Sequence, residues 1–271
     1  VAVLVALASR QARATDPFEI QVYDGTANAP GTPGLELHLN RVFDGVRTAT
    51  PPELPMHQQS HMTLEPSMGL TEFLELGGYF QTTIRGDGTF DYAGAKGRAK
   101  FVVPEGTFLH LRLGLNFELS LLPQRYDPSR LGSEVRPIIA WENQRWLLAL
   151  NPIVGVPLGT PDRLDGPTFE PAGMAKVKLM DTVALGVEYY SSLGPMAKPL
   201  PWEEQEHYLY EAVDLLSLPN VEVNAGIGEG LTHASNAFVA KLIVGYSFEA
   251  APTKTSTACV NREARARLRG Y

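Results

Sequence analysis

The sequence predicts an all-β fold, an antiparallel up-and-down transmembrane β-barrel of about 12 strands, within a range of about 10–14. Three observations predict it. Apolar and polar residues alternate with a period of two along most of the 271 residues. The alternating runs reach roughly ten to thirteen residues, the length of a tilted membrane crossing. The links between runs alternate between short turns and longer segments rich in Pro, Gly and charge, as in a meander with unlike ends.

Candidate strands lie near residues 18–24, 34–41, 61–69, 73–84, 91–103, 108–121, 134–142, 145–154, 168–180, 183–191, 206–215, 220–229 and 237–248. In the first wall strand Leu35, Leu37 and Leu39 alternate with Glu36, His38 and Asn40. In FLELGGYFQT, Leu74, Leu76, Gly78 and Phe80 oppose Glu75, Tyr79 and Gln81. Small residues Ala95, Gly97 and Ala99 oppose Lys96, Arg98 and Lys100. The longest run, FLHLRLGLNFELSL, sets Leu109, Leu111, Leu113, Leu115, Phe117, Leu119 and Leu121 against His110, Arg112, Gly114, Asn116, Glu118 and Ser120. Further on, Glu170, Lys176 and Lys178 share a polar face, as do Glu188 and Tyr190, and Glu222 and Asn224. The last run puts Phe238, Ala240, Leu242, Val244, Tyr246 and Phe248 opposite Lys241.

Alternation alone does not say which face is wet. A soluble barrel turns the apolar face inward, whereas a membrane barrel turns it to lipid and encloses the charges. Strand length, aromatic residues near strand ends (Phe73, Phe90, Phe101, Phe108, Trp141, Trp146, Phe169, Phe238) and the aromatic end of the last strand favour the second arrangement. Ala95, Gly97 and Ala99 agree: they would fill a globular core poorly, while lipid tails close on any surface. The polar residues named above are then the candidate lumen lining: Glu36, His38, Asn40, Glu75, Tyr79, Gln81, Lys96, Arg98, Lys100, His110, Arg112, Asn116, Glu118, Glu170, Lys176, Lys178, Glu188, Tyr190, Glu222, Asn224 and Lys241.

Two features run against the pattern. Pro66, Pro137, Pro152 and Pro171 fall inside candidate strands, and each removes a ladder bond, so bulges or rims are expected there. The chain also continues past Phe248 into a basic tail, residues 249–271, expected to be disordered or weakly helical. At the other end Val1–Ala8 is apolar and Ala12-Arg13-Ala14 has the small-x-small form of a cleavage site. Residues 1–14 thus read as the remnant of a signal peptide cleaved before Thr15, which predicts export. Residues 15–33 form an N-terminal segment that could plug the lumen, cap it or add to the wall, and 34–248 form the barrel.

Composition excludes several classes. A net charge of −7 gives no basic footprint for nucleic acid. A single cysteine, Cys259, allows no intrachain disulfide, and no His or Cys spacing signals a metal; no cofactor motif is present. Catalytic residues are not expected. Ser60-His61 and His233 with Ser235 are the nearest candidates for a lipid-hydrolase pair, and neighbours in a strand point to opposite faces.

The segments GLELHLN, HMTLEPSMGLTEFLELGGYFQ, KGRAKFVVP, LGLNFELS, EVRPIIAW, NPIVGVPL, VALGVEYYSSLGP and AKLIVGYSF resemble those of uncharacterised proteobacterial outer-membrane barrels. These are broadly similar to the transporter-like barrels associated with phenol and aromatic degradation. The resemblance spans Phe18 to Phe248 and implies an outer-membrane location, with membrane lipid and the outer-membrane assembly machinery as partners, and passage of a small solute. Three other readings stand beside a channel for small polar or anionic solutes: a salt-bridged barrel without an open pore, a soluble periplasmic binding barrel, and the lipid hydrolase.

Overall fold

A computed structural model describes residues 16–159, 166–216 and 220–248. Fourteen strand segments form one sheet that closes on itself. In chain order they are β1 (Pro33–Asp44), β2 (Ser60–Thr71), β3 (Leu74–Ile84), β4 (Phe90–Val102), β5 (Leu111–Leu121), β6 (Leu131–Glu142), β7 (Trp146–Asn151), β8 (Val154–Pro157), β9 (Thr168–Phe169), β10 (Ala172–Met180), β11 (Val183–Ser192), β12 (Glu206–Leu215), β13 (Val221–Gly230) and β14 (Phe238–Ser247). Both β7 and β8 pair with β6, and β9 and β10 continue one another along them. The wall is therefore a 12-stave antiparallel barrel, closed where β1 meets β14. Closure leaves no free sheet edge.

The period-two pattern decides the orientation of every stave. Along β5, Leu111, Phe117, Leu119 and Leu121 are exposed on the outer surface, while Asn116 and Glu118 are buried inside. Leu119 is 60% exposed and Glu118 only 2%. Around the barrel Leu39, Met62, Leu64, Leu76, Phe80, Leu148, Leu185, Leu209, Ile227 and Val244 continue this outer apolar band. The barrel is inside-out relative to a soluble fold, as lipid contact requires. Three charged residues interrupt the band. Arg41 lies outward near the end of β1, its guanidinium over Phe43 and bonded to Ser60, Glu211 stands outward midway along β12, and Glu229 stands outward near the end of β13.

The connections that follow β1 (45–59), β3 (85–89), β5 (122–130), β8, β11 (193–205) and β13 (231–237) leave the wall at one end, and those that follow β2 (72–73), β4 (103–110), β6 (143–145), β10 (181–182) and β12 leave it at the other. A bulge in β4 shifts its register with β3 between Gln81 and Thr82. There Gly94 takes φ +132°, and a Cβ would stand 2.7 Å from the Leu121 carbonyl oxygen, so only glycine fits.

The prolines do not sit at rims, nor do they shift the register. Leu64 pairs with Phe80 and Ser67 with Gly77, so the register is kept across Pro66 while the ladder lapses around it. Ile139 pairs with Leu150 and Val135 with Val154, which sets Pro137 opposite Pro152. Ala172 pairs with Asn151 and Phe169 with Val154, which sets Pro171 opposite Pro152 as well. Three prolines thus share one cross-strand row. The gaps between β7 and β8 and between β9 and β10 mark the bonds they remove.

Residues 18–24 are not a wall strand. The segment from Asp16 to Asn28 runs through the lumen from the end with the long links towards the end with the short turns. Phe18 packs with Ala93, Leu122 and Tyr126 near the long links, and Asn28 bonds Ser67 and Glu75 at the other end. The cleavage site, the tail and Cys259 lie outside the described residues.

Candidate functional site

The lumen is the candidate site, and the inner segment fills it. Two cavities, of about 20 and about 30 Å³, lie among Pro17, Ile20, His61 and Tyr210 and under the 45–59 link. Each has room for a water molecule or two.

The segment meets the wall through charge. Its three carboxylates belong to Asp16, Glu19 and Asp24. Lys96 on β4 sits against Asp16, 3.6 Å from Glu19 Oε2 and 3.2 Å from Glu118 Oε2. Arg136 on β6 lies 3.5 Å from Glu19 Oε1, donates to the Gln21 carbonyl at 3.3 Å and pairs with Glu134 at 2.7 Å. Arg112 on β5 holds Asp24 at 3.0 Å and contacts Glu142. Each of these cations in the basic strip of β4–β6 thus meets a carboxylate of the inner segment beside one of the wall, Glu118, Glu134 or Glu142.

Between those carboxylates stands Tyr23. Its hydroxyl bonds Glu19 at 2.8 Å and the Tyr79 hydroxyl at 2.6 Å. Its ring centroid lies 4.5 Å from the Arg136 guanidinium, 5.3 Å from Lys100 and 5.9 Å from Arg98, so three cations surround one aromatic ring. Asn151 clamps the Tyr23 backbone from both sides, accepting from its N–H at 2.7 Å and donating to its carbonyl at 3.0 Å. Gly25 turns the chain past Arg112 at φ +82°.

Burial pushes the Asp16 and Asp24 carboxyls up, but Lys96 beside Asp16 and Arg112 beside Asp24 outweigh it. Both groups end below the ordinary aspartate range and stay ionised to lower pH.

Elsewhere the charges pair within the wall. On β2–β4, Glu65 meets Arg98 at 2.6 Å, Glu75 meets Arg98 at 2.8 Å, and Lys100 meets Glu75 at 2.9 Å. Across β10–β14, Lys176 bridges Glu188 at 3.3 Å and Asp214 at 2.9 Å, Asn224 bonds both acids, and Lys241 contacts Glu188. Beside this second network Tyr190, Tyr208, Tyr210, Ile20, Val22, Met174 and Ile153 build an apolar and aromatic sector.

Of the residues expected to line the lumen, Glu36, His38, Asn40, Glu75, Tyr79, Gln81, Lys96, Arg98, Lys100, Arg112, Asn116, Glu118, Glu188, Tyr190, Asn224 and Lys241 point inward and are buried or half-buried. Lys176 and Glu170 are inward too, the latter bonded by Thr168. Lys178 lies near a rim and pairs with Asp181, and Glu222 faces inward but is exposed. His110 is a correction. It precedes β5, is exposed, and bonds the Glu142 carbonyl at the rim, because the extended pairing starts only at Leu111.

Several inward residues escaped the sequence reading: Glu65, Glu134, Arg136, Asp214 and the three plug carboxylates. Parity would have found the first four. In HMTLE, His61, Thr63 and Glu65 alternate with Met62 and Leu64, and Pro66 then hides the pattern. The hydrolase pairs are not assembled. Ser60 bonds Arg41 on the outside while His61 is inside against Phe18; Ser235 Oγ bonds the His207 backbone and Thr232, and His233 is exposed.

No protein-family model matches the chain, and no curated protein matches it. Its fold has solved counterparts. The outer membrane channel COG4313 from Pseudomonas putida F1 superposes with a TM-score of 0.59 at 11% identity, covering 85% of this chain and 100% of that one. The KdgM porin gives 0.52 at 10% identity over 80% of this chain and 99% of its own. The NanC porin gives 0.51 at 6% identity, with 80% and 99% covered. The architecture of this chain is that of outer-membrane β-barrels.

Proposed function

We propose that this protein is an outer-membrane channel for small organic anions, closed at rest by its own N-terminal segment, and that aromatic carboxylates are its preferred solutes. One observation carries the reading: Asp16, Glu19, Tyr23 and Asp24 bring carboxylates and an aromatic ring onto Lys96, Lys100, Arg112 and Arg136. The segment occupies the strip as an aromatic acid would. When it leaves, Lys96, Lys100, Arg112 and Arg136 lose its three carboxylates and keep one wall acid each. With the Tyr79 hydroxyl they then face an aqueous path where a solute carboxylate can take the segment's place. The neighbouring tyrosine sector offers a surface for the ring of the solute.

The fold supports this reading through its likeness to channels, one of them a porin solved with oligogalacturonate, a polyanion. The resemblance to barrels of aromatic degradation points to the same solute class. Membrane lipid around the apolar band, and the machinery that assembles outer-membrane barrels, are the partners this reading entails.

The experiment is conductance in planar bilayers of the refolded protein and of a variant lacking residues 16–28. The expected result is sparse opening in the first and steady, anion-selective conductance in the second, with benzoate carried better than acetate. A folded deletion variant that is cation-selective or does not conduct overturns the proposal.

A further inference from the structure

Away from the basic strip, on the β1–β2 side of the lumen, Glu36, His38 and Glu65 bring three potential ligand atoms within 4.8 Å of one another, the one such group of His, Asp, Glu or Cys among the described residues. His38 Nε2 is 3.1 Å from Glu65 Oε2 and 3.7 Å from Glu36 Oε2. Donors about 2.0–2.2 Å from one ion stand roughly 3–3.7 Å apart at angles of about 90–120°, and both separations fall in that span.

The register makes the group. Glu36 pairs directly with Glu65 across β1 and β2, and Gly245 and Glu222 continue the same row over β14 and β13. Two carboxylates facing each other across one rung repel. The cations nearby do not cancel them. Arg98 and Lys100 match Glu65 and Glu75, and Glu36 receives only the Gln21 amide at 3.2 Å and the His38 ring. Glu36, Glu65 and Glu75 thus face two full cations, Arg98 and Lys100, and the His38 ring.

His38 supplies the second observation. Its side chain is fully buried, and Nδ1 has no hydrogen-bond partner. With the proton on Nδ1, the Nε2 lone pair points at a carboxylate oxygen; with the proton on Nε2, a buried Nδ1 lone pair is left unmatched; with both, the Nδ1 N–H is, so every state of the ring carries a cost. A cation at Nε2 would draw the three acceptors together with the Nδ1 proton still to be met.

We infer that Glu36, His38 and Glu65 form a binding site for a divalent transition-metal ion, Zn²⁺-like in its taste for mixed nitrogen and oxygen donors. Three protein ligands leave a coordination position open, on the side where Gln21 of the inner segment now covers Glu36. The ion would tie β1 to β2 and replace the Gln21 contact.

Co²⁺ is the probe. Tag-free protein is refolded in detergent with Co²⁺, desalted, and read by visible d–d absorption and by bound metal per chain, with folding checked by heat-modifiable migration. One Co²⁺ per chain, displaced by Zn²⁺, is expected. Glu36→Gln and His38→Gln, each shown to be folded, should weaken binding at least about tenfold. Absence of saturable Co²⁺ binding by folded wild-type protein overturns the inference, as does binding that both substitutions leave unchanged. The readout needs no conductance, so its failure and that of the channel reading are separate.

Discussion

Two charged regions share the lumen, and they differ in where their acids come from. On β4–β6 the cations Lys96, Arg112 and Arg136 divide themselves between the wall acids Glu118, Glu142 and Glu134 and Asp16, Glu19 and Asp24 of the inner segment. On β10–β14 Lys176 and Lys241 meet Glu188 and Asp214, and every one of these charges is on the wall. The chemistry is the same, yet the first set can separate without breaking a stave and the second cannot. Paired charges on a removable segment make a latch; paired charges fixed in the wall make a brace.

The hardest test of that contrast is Lys176→Met, because Lys176 touches only wall acids. It leaves Glu188 with Lys241 alone and Asp214 with the Asn224 amide, and truncating one partner of such a buried pair costs about 3–5 kcal/mol. Chemical unfolding in detergent should show that loss, while the protein stays closed in bilayers. A destabilised protein that also opens would erase the distinction.

Tyr23→Ala addresses the other side. It removes the bonds to Glu19 and Tyr79 and the ring among three cations. A loss of about 1–3 kcal/mol in the closed state is about 5- to 150-fold in open probability. Single-channel recording measures it, with overall stability changed little.

Acid sharpens the same contrast. Because Asp16 and Asp24 titrate below their ordinary range in the closed form, their hold on the strip is complete above about pH 4 and is lost as pH falls through the depressed values. Conductance should therefore rise on acidification below about pH 4, and a conductance that stays flat down to about pH 3 would contradict the assignment. The smallest effect is expected outside the lumen. Glu211→Leu removes a carboxylate from the lipid face and should stabilise the barrel by about 1–2 kcal/mol, less than a basic residue would give, without altering conductance.

Most of the wall was legible in the sequence because a strand writes its two faces as alternate letters. Leu35 to Leu39 and Leu111 to Leu121 needed no tertiary knowledge, and Arg98, Glu118, Glu188 and Lys241 followed as their counterparts. His110 did not follow, since periodicity continues in print after the pairing has stopped. The contents of the lumen were less legible. Residues 18–24 read as a short strand left over from the count, and nothing local tells Asp24 that Arg112 will face it or Tyr23 that Asn151 will hold it. Those partners lie 88 and 128 positions away and are set by closure of the barrel. Glu65 was overlooked for a different reason, the proline that follows it.

The row of Pro137, Pro152 and Pro171 gives the wall a direction. Three adjoining staves forgo rungs at one height, whereas most of the circumference keeps them. A wall softened over one arc flexes there rather than widening uniformly, and amide exchange should be fastest beside that row.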